Sequence, residues 1–411
     1  MKLAILTIVT ILGLTVASPQ KSRTCTVQTH GNGVDDSDNI LSAFHECQQD
    51  STIIFKEGVT YNVQRILDLK NLTNVDVEMR GTIEFGVDLR YWFTHSMYQE
   101  FQNVSIAMRI GGDNIIWDGF NTGLINGNGE IYYENFGKVS QYWGRPVPFY
   151  LHKATNSLFR NFKIFKSQYW SFVIDHSENI VVDNINIENT SNMLGTTGNT
   201  DGFDTLYSNN ITILNSIVNN GDDCISIKPN STNIYAQNIT CYNSSGIAIG
   251  SLGQYPGQYD LAENVTFRDI KLYNARGGAY LKTWLSYQAG LPPNGGGNGT
   301  GLIKNLLFEN FEVTNTSTPV LITQCLSYFS PAPDCSLYPS NFPIQNVSWV
   351  NFTGTSSSNN TIQLKCSTKT PCKEIKLSNI DIKPYDGSAA AVQCTNADGL
   401  DSHCQPTSTS S

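Results

Sequence analysis

The most regular feature of the chain is a short phrase in which apolar and polar positions alternate between asparagine-rich turns. It reads NSLFRNFKIF from Asn156, NIVVDNINIEN from Asn179, NITILNSIVNN from Asn210 and NIYAQNITCYN from Asn233. Later copies are NVTFRDIKLYN from Asn264, NLLFENFEVTN from Asn305 and NVSWVNFTGT from Asn346, and EIKLSNIDIKP from Glu374 is a degenerate last one. Alternation with period two sends one set of side chains to one face, so each phrase predicts short β-strands. Helical periodicity is missing from these phrases. They recur every 23 to 41 residues, the mark of a solenoid or a propeller. A propeller blade takes about four strands in roughly 40 to 50 residues, and the shortest repeats have room for two or three. The pattern therefore predicts an all-β chain wound as a right-handed, single-stranded parallel β-helix. Its rungs would stack about 4.8 Å apart, with asparagines at equivalent turns forming ladders.

A solenoid needs closed ends. The stretch DDSDNILSAFHECQQ has helical spacing, with Asp36 or Ser37 as helix N-cap and Ile40, Leu41 and Phe44 on one apolar face. It predicts a capping helix within an N-terminal cap of about residues 25–50. At the other end, residues 366–411 are rich in cysteine and finish in the polar tail QPTSTSS. Ahead of the cap, one lysine and an apolar run from Leu3 to Val16 read as a secretory signal peptide over residues 1–17. Residues 18–411 are then one domain, secreted, extracellular and expected to be a monomer free of membrane.

Composition agrees with that compartment. Ten cysteines in a secreted chain imply disulfides. Local pairing gives Cys25–Cys47, Cys224–Cys241, Cys325–Cys335, Cys366–Cys372 and Cys394–Cys404, and no cluster has zinc-site spacing. Sequons for N-glycosylation stand at Asn71, Asn103, Asn189, Asn210, Asn230, Asn238, Asn243, Asn264, Asn298, Asn315, Asn346, Asn351 and Asn359. The formal net charge of −9 and the lack of a basic stripe argue against nucleic acid as a partner. A polyanionic substrate would have to be met by a local cationic pocket.

The repeat also fixes a phase. Asp201 stands nine residues before Asn210, and Asp222 and Asp223 stand eleven and ten before Asn233. Successive rungs would bring these three carboxylates within several Å of one another, where each shifts the others' protonation. An acid and a base side by side are what glycoside hydrolysis needs. Hard cations also favour such clusters, and aspartates are common in turns. Phase alone leaves catalysis, a calcium site and plain turns open.

Three blocks narrow the choice. NTDGFD (199–204), GDDC (221–224) and GIAIGSLGQY (246–255) resemble, in order and spacing, the signature blocks of the polygalacturonase family of glycoside hydrolases, family 28. The likeness runs over residues 111–284 and less firmly over both caps. The resemblance implies an open cleft on a parallel β-helix and hydrolysis with inversion, without metal or other cofactor. It implies Asp222 as general acid, Asp201 and Asp223 as the pair that activates water, and Asn199 and Lys282 on the substrate. An acid and base that invert stand about 6.5 to 9.5 Å apart.

Two departures touch specificity. Ser245 stands where many members have histidine, and Tyr280 where many have arginine; both family cations would hold galacturonate carboxylates. A tyrosine ring suits a neutral sugar face better than a carboxylate. The expected activity is exo-acting, inverting release of terminal galacturonic acid from pectic chains, with rhamnogalacturonan slightly preferred over polygalacturonan. GSLGQY and the insertion PGQYDLA resemble the exo-acting branch, and the loop LSYQAGLPPNGGGNGTG (285–301) could wall off one end of a cleft. Endo-acting hydrolysis, a calcium-dependent lyase and a non-catalytic polysaccharide-binding β-helix are the alternatives.

Overall fold

Alternating side chains become a coil of parallel strands. The computed structural model describes residues 21–136, 144–193, 195–328, 332–400 and Cys404, so the segment read as a signal peptide and the tail after Cys404 lie outside the described residues. Twenty-three strands form one continuous parallel arrangement, and a small three-stranded sheet sits apart from it. Each strand pairs with the equivalent strand one turn later, which makes the chain a right-handed parallel β-helix.

Register shows why the repeats read as they do. On one face the inward column runs Phe149, Phe172, Phe203, Ile225, Ile247, Ala279, Val320 and Ile362. On another it runs Phe159, Val182, Ile213, Ala236, Phe267, Phe308, Trp349 and Leu377. All are buried in one core. Burial of these stacked apolar side chains, each contributing about 1.5–3 kcal/mol, holds the rungs in phase.

Asparagine supplies the corners. Asn156, Asn179, Asn210, Asn233, Asn264, Asn305 and Asn346 have φ between 49° and 58°. Asparagine tolerates this left-handed backbone because its short side chain bonds locally. Nδ2 donates to Oδ1 one rung below between Asn179 and Asn156, Asn210 and Asn179, Asn264 and Asn233, Asn305 and Asn264, and Asn346 and Asn305, at 2.8 to 3.0 Å. Asn233 reaches Asn209 instead, at 2.7 Å. In the last, degenerate copy Glu374 takes the corner at φ 56°.

The N-terminal end is closed by helix Ser37–Glu46, whose Ile40, Ala43 and Phe44 are buried. Phe44 stacks on Trp117 at 6.0 Å. Asp36 precedes the helix but makes no side-chain cap bond. Its carboxylate accepts from Thr29 Oγ1, His30 N–H and Asn62 N–H, tying the cap to the first rungs. All five disulfides pair as spacing predicts. No helix among the described residues is long and apolar enough to cross a membrane.

Candidate active site

Two turns on neighbouring rungs carry the carboxylates. Asp201 leads into strand Phe203–Leu206, and Asp222 precedes strand Asp223–Ile227. Phe203 pairs with Ile225, which sets one turn above the other. Close approach explains the glycines. A Cβ on Gly221 would lie 2.0 Å from Thr197 Oγ1, and one on Gly202 would lie 2.4 Å from the Cys224 carbonyl. Asn220 stitches the turns together, donating to the carbonyls of Thr200 and Asp223 at 2.8 Å each. The Cys224–Cys241 disulfide anchors the same strand into the core.

At least one oxygen from each of Asp201, Asp222 and Asp223 lies within 4.8 Å of the others. That is closer than the gap of about 6.5 to 9.5 Å expected of an inverting pair; Asp201 is in phase with Asp223 on the next rung, and Asp222 is one residue off that phase. Separation alone therefore does not argue for inversion.

The three environments differ. Asp223 is buried; Lys282 Nζ lies 2.9 Å from Oδ2, and the Tyr280 hydroxyl donates to Oδ1 in a very short bond. Burial alone would push its carboxyl up, but the Lys282 and Lys228 ammoniums and the Tyr280 hydroxyl hold it below the usual range. Asp201 is buried too, and Lys228 Nζ lies 3.2 Å from its Oδ2. Burial pushes Asp201 well above the usual range against the pull of Lys228, and the carboxylates of Asp204, Asp222 and Asp223 add to the rise. Its raised carboxyl hydrogen-bonds the neighbouring Asp204 carboxylate. Asp222 is only half-buried. Its Oδ2 accepts from the Asn199 N–H at 2.8 Å, and its Oδ1 accepts from the Asp223 N–H at 2.9 Å. Such a set could hold a cation, but Lys228 and Lys282 already stand where a cation's charge would.

Asn199 thus meets the site through its backbone, at φ 58°. Ser245 Oγ lies 3.4 Å from Asp222 Oδ1, and its N–H donates to the Asp222 carbonyl at 2.6 Å. Tyr280 points outward as its phase requires, yet it is 8% exposed and its hydroxyl serves Asp223. The expectation of an open ring awaiting a neutral sugar is not met.

Several residues of the site were missed or left open by the sequence. Lys228 is buried. It lies 3.1 Å from Asp204 Oδ1 as well as bonding Asp201, with its Nζ 4.5 Å from the centre of the Trp170 ring. Burial pushes Asp204 up to about 6 against Lys228. Asp204 lies within the NTDGFD block, three residues after Asp201, and outward phase could have flagged it. Asn189, expected among the glycan acceptors, is 1% exposed. Its Nδ2 donates to Ser171 Oγ and the Thr200 carbonyl, and its Oδ1 accepts from the Ser167 N–H. In the folded chain it holds the Asp201 turn and has no room for a sugar.

One side of the site is walled. Strands Met97–Gln99 and Val104–Ile106, with Pro146–Val147, form the small separate sheet. Phe101, Val104 and Ile106 pack over the outward side chains Tyr150, Val173 and Leu206, in one cluster with Tyr169 and Trp170. Trp170 is the ring beneath Lys228, so the wall begins beside the carboxylates. Gln102 bonds the Tyr255 hydroxyl through its N–H and Gln254 Oε1 through its side chain, both at 2.7 Å. The loop over residues 285–301 meets this wall through Gln254. It props Gln254, which donates to the carbonyls of Pro293 and Gly295.

The sequence model described as "Glycosyl hydrolases family 28" matches residues 50–407. An exopolygalacturonase of Cochliobolus carbonum is 37% identical over 386 residues, covering 93% of this chain and 85% of that protein. Exopolygalacturonase X of Aspergillus niger is 37% identical over 367 residues, covering 88% and 83%. Among solved structures, endo-xylogalacturonan hydrolase from Aspergillus tubingensis superposes with a TM-score of 0.82 at 26% identity, covering 93% of this chain and 99% of that one. A polygalacturonase from Erwinia carotovora shares the fold at a TM-score of 0.70 and 19% identity, covering 95% and 99%.

Proposed function

The chain belongs to glycosyl hydrolase family 28 and is a glycosidase, and from that premise we propose that it removes terminal galacturonic acid from polygalacturonan by exo-acting, inverting hydrolysis. The observation that carries the reading is the trio itself: three carboxylates within 4.8 Å, of which the two buried ones are held by lysines and the third is open to the cleft.

Asp222 is the general acid, because it alone of the three can be reached by a leaving oxygen. Asp223 is the ionised base, and Asp201 stands beside it on the neighbouring rung to help place the water. Both Asp223 oxygens are committed, to Tyr280 and Lys282. It is thus poorly placed to attack carbon, which favours inversion over a covalent intermediate, and the remaining acceptor site on each oxygen serves a bound water.

The wall supports exo action. Packed aromatic residues stand beside Lys228, whereas Ser245, on the other side of Asp222, is only half-buried. The exopolygalacturonase relatives support the same reading. Five disulfides fit an oxidising, extracellular setting. The buried Tyr280 ring gives a neutral rhamnose no special seat, so polygalacturonan takes precedence over rhamnogalacturonan.

The test is to incubate the protein and its Asp222→Asn variant with oligogalacturonates of defined length. Wild type should release monomer. The variant should lose about two to four orders of magnitude in turnover while keeping the wild-type unfolding temperature. Full activity in the variant would remove Asp222 from the reaction.

A further inference from the structure

Among the described residues, four cationic side chains lie near the trio. Lys228 and Lys282 are spent on Asp201, Asp204 and Asp223. Arg145 is buried and donates to the carbonyls of Gln168 and Gly198. Arg276 differs from all three: it is exposed and has no carboxylate partner among the described residues.

Arg276 lies in the turn before strand Ala279–Trp284. Its N–H donates to the Ser244 carbonyl at 2.9 Å, which fixes its backbone against the preceding rung. Its Nη2 donates to the Gly221 carbonyl at 2.5 Å and to Ser245 Oγ at 2.7 Å. Ser245 Oγ in turn lies 3.4 Å from Asp222 Oδ1. A guanidinium carries five N–H donors. Two are used here, both from Nη2, so Nη1 and Nε keep theirs. The side chain is thus an exposed cation, anchored one hydroxyl away from the general acid, with donors still to give.

Direction follows from the wall. The sugar to be released lies between the wall and Asp222. The leaving oxygen lies at Asp222, so the remainder of the chain extends away from the wall, over Ser245 and then Arg276. We propose that Arg276 binds the carboxylate of the sugar on the leaving side of the scissile bond, and so sets a preference for galacturonate there. This rests on the exo-galacturonidase reading given above. Arg276 supplies from a neighbouring turn the positive charge that positions 245 and 280 lack. No sequence pattern marks it, because it stands outside the signature blocks.

The experiment compares two substrates, trigalacturonate and the same trimer methyl-esterified at the leaving-side sugars, with wild type, Arg276→Gln and Arg276→Lys. Wild type should prefer the free acid in kcat/KM by roughly 10- to 100-fold, the value of one hydrogen bond to a charged group. Arg276→Gln should cut that preference to near one by losing rate on the acid alone, and Arg276→Lys should restore part of it. A Gln variant that slows both substrates alike, or neither, overturns the inference and leaves the galacturonidase reading standing. No monomer from either substrate with wild type overturns both.

Discussion

Tyr280 donates its hydroxyl proton to Asp223 Oδ1, on the rung two turns before its own, from a ring that is 8% exposed. The tyrosine therefore tunes the base and does not serve as a sugar platform. A hydrogen bond to a charged group contributes about 1.5–3 kcal/mol. Tyr280→Phe should lower kcat by roughly 10- to 100-fold with little change in KM. With that donor gone, the Asp223 carboxyl rises, so the acid limb of the pH–kcat profile should move to higher pH. An unchanged limb would show that the bond has no part in tuning the base.

Lys228 sits between two buried carboxylates, 3.2 Å from Asp201 and 3.1 Å from Asp204. Lys228→Met leaves both unpaired and should cost about 3–5 kcal/mol of stability, read by chemical denaturation. Adding Asp204→Asn removes one of the stranded charges and should recover part of the loss. Additive losses in the double variant would mean that the two side chains are not coupled.

Asp260 accepts the Gly253 N–H at 2.7 Å, and burial raises its carboxyl from 3.8 to about 6. The sign follows from proton counts. Between these values the folded state keeps the proton and the unfolded state has lost it. Stability from this group is full below about pH 4 and falls as pH rises through about 6, by roughly 3 kcal/mol at about 1.4 kcal/mol per unit. Asp260→Asn should flatten that part of the unfolding free-energy curve relative to wild type, leaving the share due to Asp204.

Asn189 uses both of its amide hydrogens within the Asp201 turn. In protein secreted by a glycosylating host, peptide mass spectrometry should find Asn189 bare, whereas exposed sequons such as Asn71, Asn298 and Asn359 are open to modification. A glycan on Asn189 in active protein would contradict the buried geometry.

Much of this was legible because a solenoid is nearly one-dimensional. A repeat spacing fixes the rung, and the rung fixes which residues meet. The asparagine corners, the five disulfides and the meeting of Asp201 with Asp222 and Asp223 all follow from spacing. What spacing leaves out is anything supplied by an insertion or by the reach of a long side chain. The Met97–Ile106 wall interrupts the repeat, and its contacts with Tyr255 span 153 residues. Arg276 reaches back to Gly221 across 55. Tyr280 stands where the resemblance puts a substrate-holding arginine, yet neither the resemblance nor phase reveals that a carboxylate stands in front of its hydroxyl.

The most direct test is the time course of products from a long oligogalacturonate labelled at its reducing end, with the first-formed anomer followed by proton NMR. The account predicts galacturonic acid as the sole small product from the earliest times, chains shortened one sugar at a time, and an anomer opposite in configuration to the bond cleaved. Early oligomers of mixed length, an unsaturated product or a retained anomer would contradict it.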